Sequence, residues 1–549
     1  MLTGIGKGFV IGLVAGGAAL VLSYILRIDA GGIFIPELAS QTLFSQTPGT
    51  IESQAVATLG VFAKYSSFSG AIFGNLLLYG VIGILFHLLF HRLKQKKHLI
   101  KILQMVAVSY IIMFVTALIL SQTSEVASQP RTLSLIALYL IPPQIVFSLI
   151  AYYMFRIPIT KVAISHKEVD SDSSIDSDSQ RMAKVSRRDF LRMVGIIGAG
   201  TIVSAILFQW IKQPSTSTST NLPPSHANLT AGSSSLSEIN SFYASEITAN
   251  DQFYRIDTDI VPPVIDASMW SLMVSGSLEN PLTLSYEDLK SMPSIQKYAT
   301  LECVSDEVGG DLTSTALWKG VYLKDVLDKA KIKTGAKYIV FRCYDGYDVG
   351  IPLQRGLDGT FLAYEMNGTP LPGEHGYPLR AIVPGIYGMM NAKWITAIEL
   401  VDKVYEGFWQ RRGWSNEAHY KIHSSIVIPG NALSRRFPNV SSSTTRMLGS
   451  KVPIAGIAFA GDKGISKVEV SVDDGNTWEP AKIKKPLTDG NTWVLWATEW
   501  NPSSEGNYHI SVRAVDGAGN KQAMGFMKPF PEGSSGYHTV GVTIVKSGA

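Results

Sequence analysis

The chain has 549 residues, with 48 basic against 44 acidic side chains and a formal net charge of +4, a balance that argues against a nucleic-acid protein with its strong basic patch or stripe. Its two cysteines, Cys303 and Cys343, exclude a disulfide scaffold and a four-cysteine zinc or iron–sulfur site, and no Cys-x-x-Cys-His is present to attach a c-type haem. Only 17% of the residues are charged and the mean hydropathy is +0.16, oily for a wholly soluble protein; at roughly 150 residues per domain, three or four units are expected.

The apolar excess lies in residues 1–212. Segments 8–26, 67–90, 102–121, 132–155 and 193–211 are each long and uncharged enough to cross a bilayer as a helix, since about 20 apolar residues span a core roughly 30 Å thick. Basic residues set their orientation. Arg92, Lys94, Lys96, Lys97 and Lys101 fill the loop between the second and third spans, and eight more basic residues between Arg156 and Arg192 fill the loop between the fourth and fifth. The opposite loops hold only Arg27, Lys64 and Arg131. This places the N-terminus in the cytoplasm and everything after Ile211 outside the cytoplasmic membrane. Segment 31–65 is apolar but carries Pro36 and Pro48, and is expected on the outer interface. His87, His91 and His98 lie near the basic interface; a haem between facing helices is the less favoured reading of them.

Residues 168–178 alternate Ser and Asp and read as a flexible loop. Residues 213–238, with 12 Ser or Thr among 26, read as a tether. Between these, Ser186-Arg187-Arg188-Asp189-Phe190-Leu191-Arg192 resembles the twin-arginine export signal, against the plainer reading of a basic flank before a span. The resemblance implies that the outer part crosses already folded, with any cofactor inserted beforehand. No small-x-small cleavage site follows, so the fifth span is expected to remain as an anchor.

From about residue 240 the pattern changes to short strands, turns and a few helices. Residues 337–343 read as a strand, Asp345-Gly346 as a turn and residues 323–330 as a short helix. Thr300-Leu301-Glu302-Cys303-Val304-Ser305, Ala316-Leu317-Trp318-Lys319-Gly320, Tyr364-Glu365-Met366-Asn367-Gly368, His375-Gly376-Tyr377-Pro378-Leu379-Arg380, Val383-Pro384-Gly385-Ile386-Tyr387-Gly388 and Lys393-Trp394 follow in order. Over roughly residues 249–412 this resembles the molybdopterin-binding domain of the sulfite oxidase family, an α+β fold. The resemblance implies an oxidoreductase with a molybdenum–molybdopterin cofactor and one protein thiolate on the metal, a soft ligand suited to a metal that changes oxidation state.

Cys303 stands in the thiolate position. Alone, a single cysteine is more often a small buried hydrophobe; the surrounding motifs reverse that. Arg380 matches an arginine at the phosphate end of the cofactor, His375 a neighbouring contact, Gly388, Met389 and Met390 a loop whose backbone approaches the pterin, and Lys393 a lysine of the same segment. Upstream, Phe253-Tyr254-Arg255 resembles the family's Phe-x-Arg element; Tyr254 is expected at the cofactor, and Arg255 near the metal or the substrate anion, against a plain surface ion pair. Cys343 either lines the cofactor site or, more in keeping with a single-thiolate family, packs in the core.

The resemblance fails at the substrate. Sulfite oxidases of eukaryotes follow the cysteine with Ala-Gly-Asn-Arg-Arg; this chain has Val304-Ser305-Asp306-Glu307-Val308. The difference is about four units of formal charge, where a unit pair at roughly 4 Å is worth about 4 kcal/mol at an effective dielectric near 20. A doubly charged anion is disfavoured unless Arg411, Arg412 or other cations compensate. Trp414 also replaces the family's tyrosine beside the metal. The expected substrate is a small oxyanion or, as the alternative, an S-oxide or N-oxide undergoing reduction. A rival of another class is an inactive, membrane-tethered binding or adhesion module.

Residues 426–549 alternate apolar and polar residues with turns at Asp473-Asp474-Gly475-Asn476 and Asp516-Gly517-Ala518-Gly519, the pattern of an immunoglobulin-like sandwich. Its position resembles the family's dimerisation domain and implies a homodimer. The expected organisation is multidomain: membrane helices to residue 212, a linker over 213–238, the α+β molybdopterin domain over 239–425 and the all-β domain over 426–549. Two-electron chemistry needs an electron carrier, expected to be a separate cytochrome or copper protein outside the cell.

Overall fold

The computed structural model describes residues 2–30, 32–48, 62–92, 98–123, 133–156, 235–258, 261–430, 443–487 and 490–546, with residues 50, 51, 55 and 437. The twin-arginine segment, the expected fifth span, the Ser/Asp loop and most of the Ser/Thr stretch lie outside the described residues. The chain divides into two compact units.

The first unit is helical: α1 (Leu2–Ala30), the start of α2 (Ile35–Gln46), α3 (Phe62–Arg92), α4 (His98–Thr123) and α5 (Leu133–Arg156). Four of them, over 4–28, 66–89, 98–122 and 136–156, are long and apolar enough to cross a membrane. In α1, Gly4, Gly8, Gly12 and Gly16 recur every four residues and so share one face. A Cβ at Gly8 would lie 2.8 Å from the Gly83 carbonyl, and one at Gly12 2.2 Å from the Tyr79 carbonyl, so α1 and α3 run antiparallel with their backbones nearly touching. Arg27 and Glu37 form a buried ion pair at 2.6 Å; burying both together satisfies charges that neither could carry alone.

The second unit, which takes in residues 219–549, contains the helix Ser235–Ala244, whose first four residues fall in the stretch expected as tether; Ile239 and Phe242 bury on one face and Arg446 reaches Glu238 at 3.2 Å. Two β-sheets follow, the first mixed and the second antiparallel throughout. One has the strand order 282–285, 271–276, 395–401, 338–343, 348–352; the other runs 295–302, 313–322, 361–366, 369–370, with 380–382 also pairing 361–366. The helix Leu323–Ala330 buries Leu323, Val326, Leu327 and Ala330, the spacing of one helical face. From His423 onward the described residues build two β-sheets: those ordered 423–428, 452–459, 494–500, 482–483 and 445–447, 538–545, 506–516, 465–471, 479–480 enclose a shared core that includes Ile454, Val470, Trp496, Val512 and Val542. A larger core cluster runs from Trp270, Phe341 and Leu379 through Val427 and Ile457 to Trp493, so the α+β and all-β parts are packed as one body.

Candidate functional site

The strand Ile295–Glu302 delivers Cys303 to the wall of a cavity of about 140 Å³. Its end is fixed from both sides: Cys303 N–H donates to the Leu312 carbonyl at 3.0 Å, and Asp306 N–H donates to the Cys303 carbonyl at 3.0 Å, closing a turn. Cys303 Sγ lies 3.1 Å from Ser305 Oγ. Burial pushes the thiol up to about 11; the Ser305 hydrogen bonds work against this, while the Asp306 and Glu302 carboxylates add to it. A thiolate in this place needs a compensating cation, which a metal supplies.

The cavity brings together Tyr254, Cys303, His375, Arg380, Gly388, Met389 and Lys393 of the residues expected at the site. Arg380 is buried, donates to the His375 carbonyl at 3.0 Å and lies 4.8 Å over the Trp318 ring; burial lowers its guanidinium to about 10, still cationic at neutral pH. Its Nε is buried with no partner among the described residues, a charge prepared for an anion. His375 Nε2 stands 2.7 Å from the Asn250 carbonyl. A carbonyl only accepts, so the proton sits on Nε2 and Nδ1 keeps a lone pair. Burial lowers His375 to about 4, so the ring is neutral.

Gly388 is required by space. A Cβ there would lie 2.3 Å from Tyr254 Oη and 3.2 Å from the Glu302 carbonyl. Asn391 staples its loop, accepting from Val383 N–H at 2.7 Å and donating to the Tyr387 carbonyl at 3.1 Å, and Tyr347 Oη donates to the Met389 carbonyl at 2.6 Å. The bare Gly388 backbone, the partnerless Nε of the Arg380 cation and the Cys303 sulfur, all on residues lining one space, fit a group with an anionic tail and a soft metal.

Three expected residues do not line the cavity, each for a local reason. Arg255 turns to the buried Asp257, which also binds Lys393. Cys343 ends the strand Tyr338–Cys343, whose alternation sends Arg342 outward to Glu399 and Cys343 into the core. Met390 buries its side chain in the same core. Sequence reasoning missed Asp257, Asn391, Tyr347 and Trp409 as cavity residues. The signal available for Asp257 was its place two residues after Arg255, on the same side of an extended segment. Arg411 and Arg412 also lie off the cavity wall: Arg411 grips both oxygens of Asp348 at 3.0 Å, and Arg412 stacks 3.6 Å over the Phe408 ring and donates to the Phe408 carbonyl.

Residues 259–409 match the family model for the oxidoreductase molybdopterin binding domain, and residues 414–528 that for the Mo-co oxidoreductase dimerisation domain. Similar proteins include the uncharacterized oxidoreductase YuiH of Bacillus subtilis, 35% identical over 30% of this chain and 80% of that protein. Sulfite oxidase of Arabidopsis thaliana is 28% identical over 51% of this chain and 83% of its own. Mitochondrial sulfite oxidase of Macaca fascicularis is 30% identical over 50% of this chain, which spans only 57% of that protein. The chain belongs to the sulfite oxidase family of molybdopterin oxidoreductases, and its cofactor is molybdenum–molybdopterin.

Proposed function

We propose that the chain is a membrane-anchored oxidoreductase with its molybdenum domain on the extracytoplasmic side, performing oxygen-atom transfer and exchanging electrons with a separate carrier. The observation that carries the reading is the convergence of Cys303, Arg380, His375 and the Gly388 backbone on one cavity. Cys303 would hold the metal through sulfur. Arg380 would take the anionic end of the cofactor, with Lys393 and the His375 Nδ1 lone pair beside it, and the Gly388–Met389 backbone would lie against the pterin. The bound cofactor supplies a two-electron centre for oxygen-atom transfer. Ile256, Val304, Tyr347, Trp409 and Trp414 give the cavity an apolar wall that limits water around the reacting group. The four apolar helices support the anchor, the charge pattern of their loops supports the orientation, and the two-sheet domain supports an immunoglobulin-like, homodimer-forming module.

The charge of the cavity favours a neutral S-oxide or N-oxide over sulfite. Its lining cations are Arg380 and Lys393, and its lining carboxylates are Asp257 and Asp345, so the formal charges cancel before an anionic cofactor is added. Arg411 and Arg412, the groups able to compensate for the arginines missing after Cys303, are engaged with Asp348 and Phe408. Purified protein assayed side by side for sulfite oxidation and methionine sulfoxide reduction is expected to turn over the sulfoxide and to show poor sulfite turnover. Efficient sulfite oxidation with no sulfoxide turnover would overturn the substrate reading.

A further inference from the structure

We propose that the C-terminal all-β domain is part of the metal site's machinery, with His423 as a positioning residue that clamps the strand carrying Cys303. The proposal rests on the reading of Cys303 as the metal's protein ligand.

Glu302 immediately precedes Cys303 and is 3% exposed. Its Oε1 lies 3.2 Å from His423 Nδ1, and His423 Nε2 lies 2.6 Å from Ser425 Oγ. Both ring nitrogens are therefore engaged, and the ring has one orientation. The other carboxylate oxygen of Glu302 is buried without a partner among the described residues, so the His423 contact is what satisfies this group. His423 belongs to the first strand of the all-β domain, 121 residues away in sequence.

A second contact from the same domain holds the loop further along, at Gly309. A Cβ on Gly309 would lie 2.3 Å from His538 Nε2, so the loop rests directly against that ring, and His538 Nδ1 accepts the Ile426 N–H at 2.9 Å. Between the two contacts Asp306 is held by Leu312 N–H at 3.1 Å and Thr313 Oγ1 at 2.9 Å. The strand itself is tied to the same domain: Thr300 N–H donates to the Asn491 carbonyl at 2.7 Å and Trp493 N–H to Thr300 Oγ1 at 2.8 Å. None of His423, His538 or Asn491 lines the cavity. Their effect on the metal would pass through the backbone that aims the sulfur, as outer partners do at other metal sites.

The test uses the full-length holoprotein and three variants, His423→Leu, Glu302→Met and His423→Gln, with Arg446→Gln as the control for merely breaking a contact of the same domain. The readouts are molybdenum retained during dialysis against a chelator, the lineshape of the Mo(V) electron paramagnetic resonance signal, and Tm. His423→Leu and Glu302→Met are expected to lose molybdenum about tenfold to a hundredfold faster and to change the Mo(V) lineshape. His423→Gln, which can still donate to Glu302, should restore much of the wild-type signal. Arg446→Gln should lower Tm and leave signal and retention unchanged. If His423→Leu fails to fold, Glu302→Met carries the test. Wild-type retention and lineshape in whichever of these two variants folds would overturn the clamp. A wild type that never holds molybdenum would instead overturn the underlying reading of Cys303.

Discussion

His375 shows how one buried side chain sets both a hydrogen-bond pattern and a pH response. Its burial holds the ring neutral, with a folded value of about 4 against an ordinary 6.5. Between these values the unfolded chain binds more protons than the folded one, so the contribution of His375 to stability is present above pH 6.5 and is lost as pH falls toward 4. A shift of this size corresponds to about 3 kcal/mol at most. Asp306, whose buried carboxyl is pushed up to about 7, works in the opposite sense, losing stability as pH rises through that value. The informative quantity is therefore the difference between His375→Gln and wild type. Glutamine can keep the donation to the Asn250 carbonyl but does not titrate. Tm measured from pH 7 to pH 5 is expected to shift steadily in the variant's favour; a pH-independent difference would contradict the buried, neutral ring.

At the scale of elements, the loop at Gly388 is shaped by what it must not contain. The Gly388→Ala substitution places a methyl group against Tyr254 Oη and near the Glu302 carbonyl. Overpacking of this kind costs about 1–3 kcal/mol. Tyr254→Phe removes the nearer atom, so the double variant should recover most of the stability lost by Gly388→Ala alone, a coupling that thermal unfolding of the four proteins would measure. Additive effects would contradict the contact. The elements differ in how much of them the sequence disclosed. The helix at 323–330 was legible because Leu323, Val326, Leu327 and Ala330 repeat at helical spacing with no competing pattern. Cys303, His375, Arg380 and Gly388 were legible because ordered motifs carry them. Arg255 and Cys343 each took the plainer of the two readings weighed for it: Arg255 pairs with a carboxylate two residues on, and the strand's alternation turns Cys343 inward. The His423–Glu302 contact left no trace in either local pattern, because it arises only when two domains pack.

At the scale of the whole molecule, the α+β and all-β parts share a core, so the dimerisation-type domain cannot be treated as a detachable appendage. The same packing holds the strand that leads into Cys303, so on the proposed reading of that sulfur metal binding would depend on both parts together. The account stands or falls on that sulfur. The most direct measurement is elemental analysis of molybdenum in purified full-length protein, wild type beside Cys303→Ser, with circular dichroism to show that both are folded. We expect about one molybdenum per wild-type chain and clearly less in the folded variant, where on the proposed reading the metal loses the soft ligand that Cys303 supplies. A folded wild type free of molybdenum, or a Cys303→Ser protein that retains the wild-type amount, would contradict it.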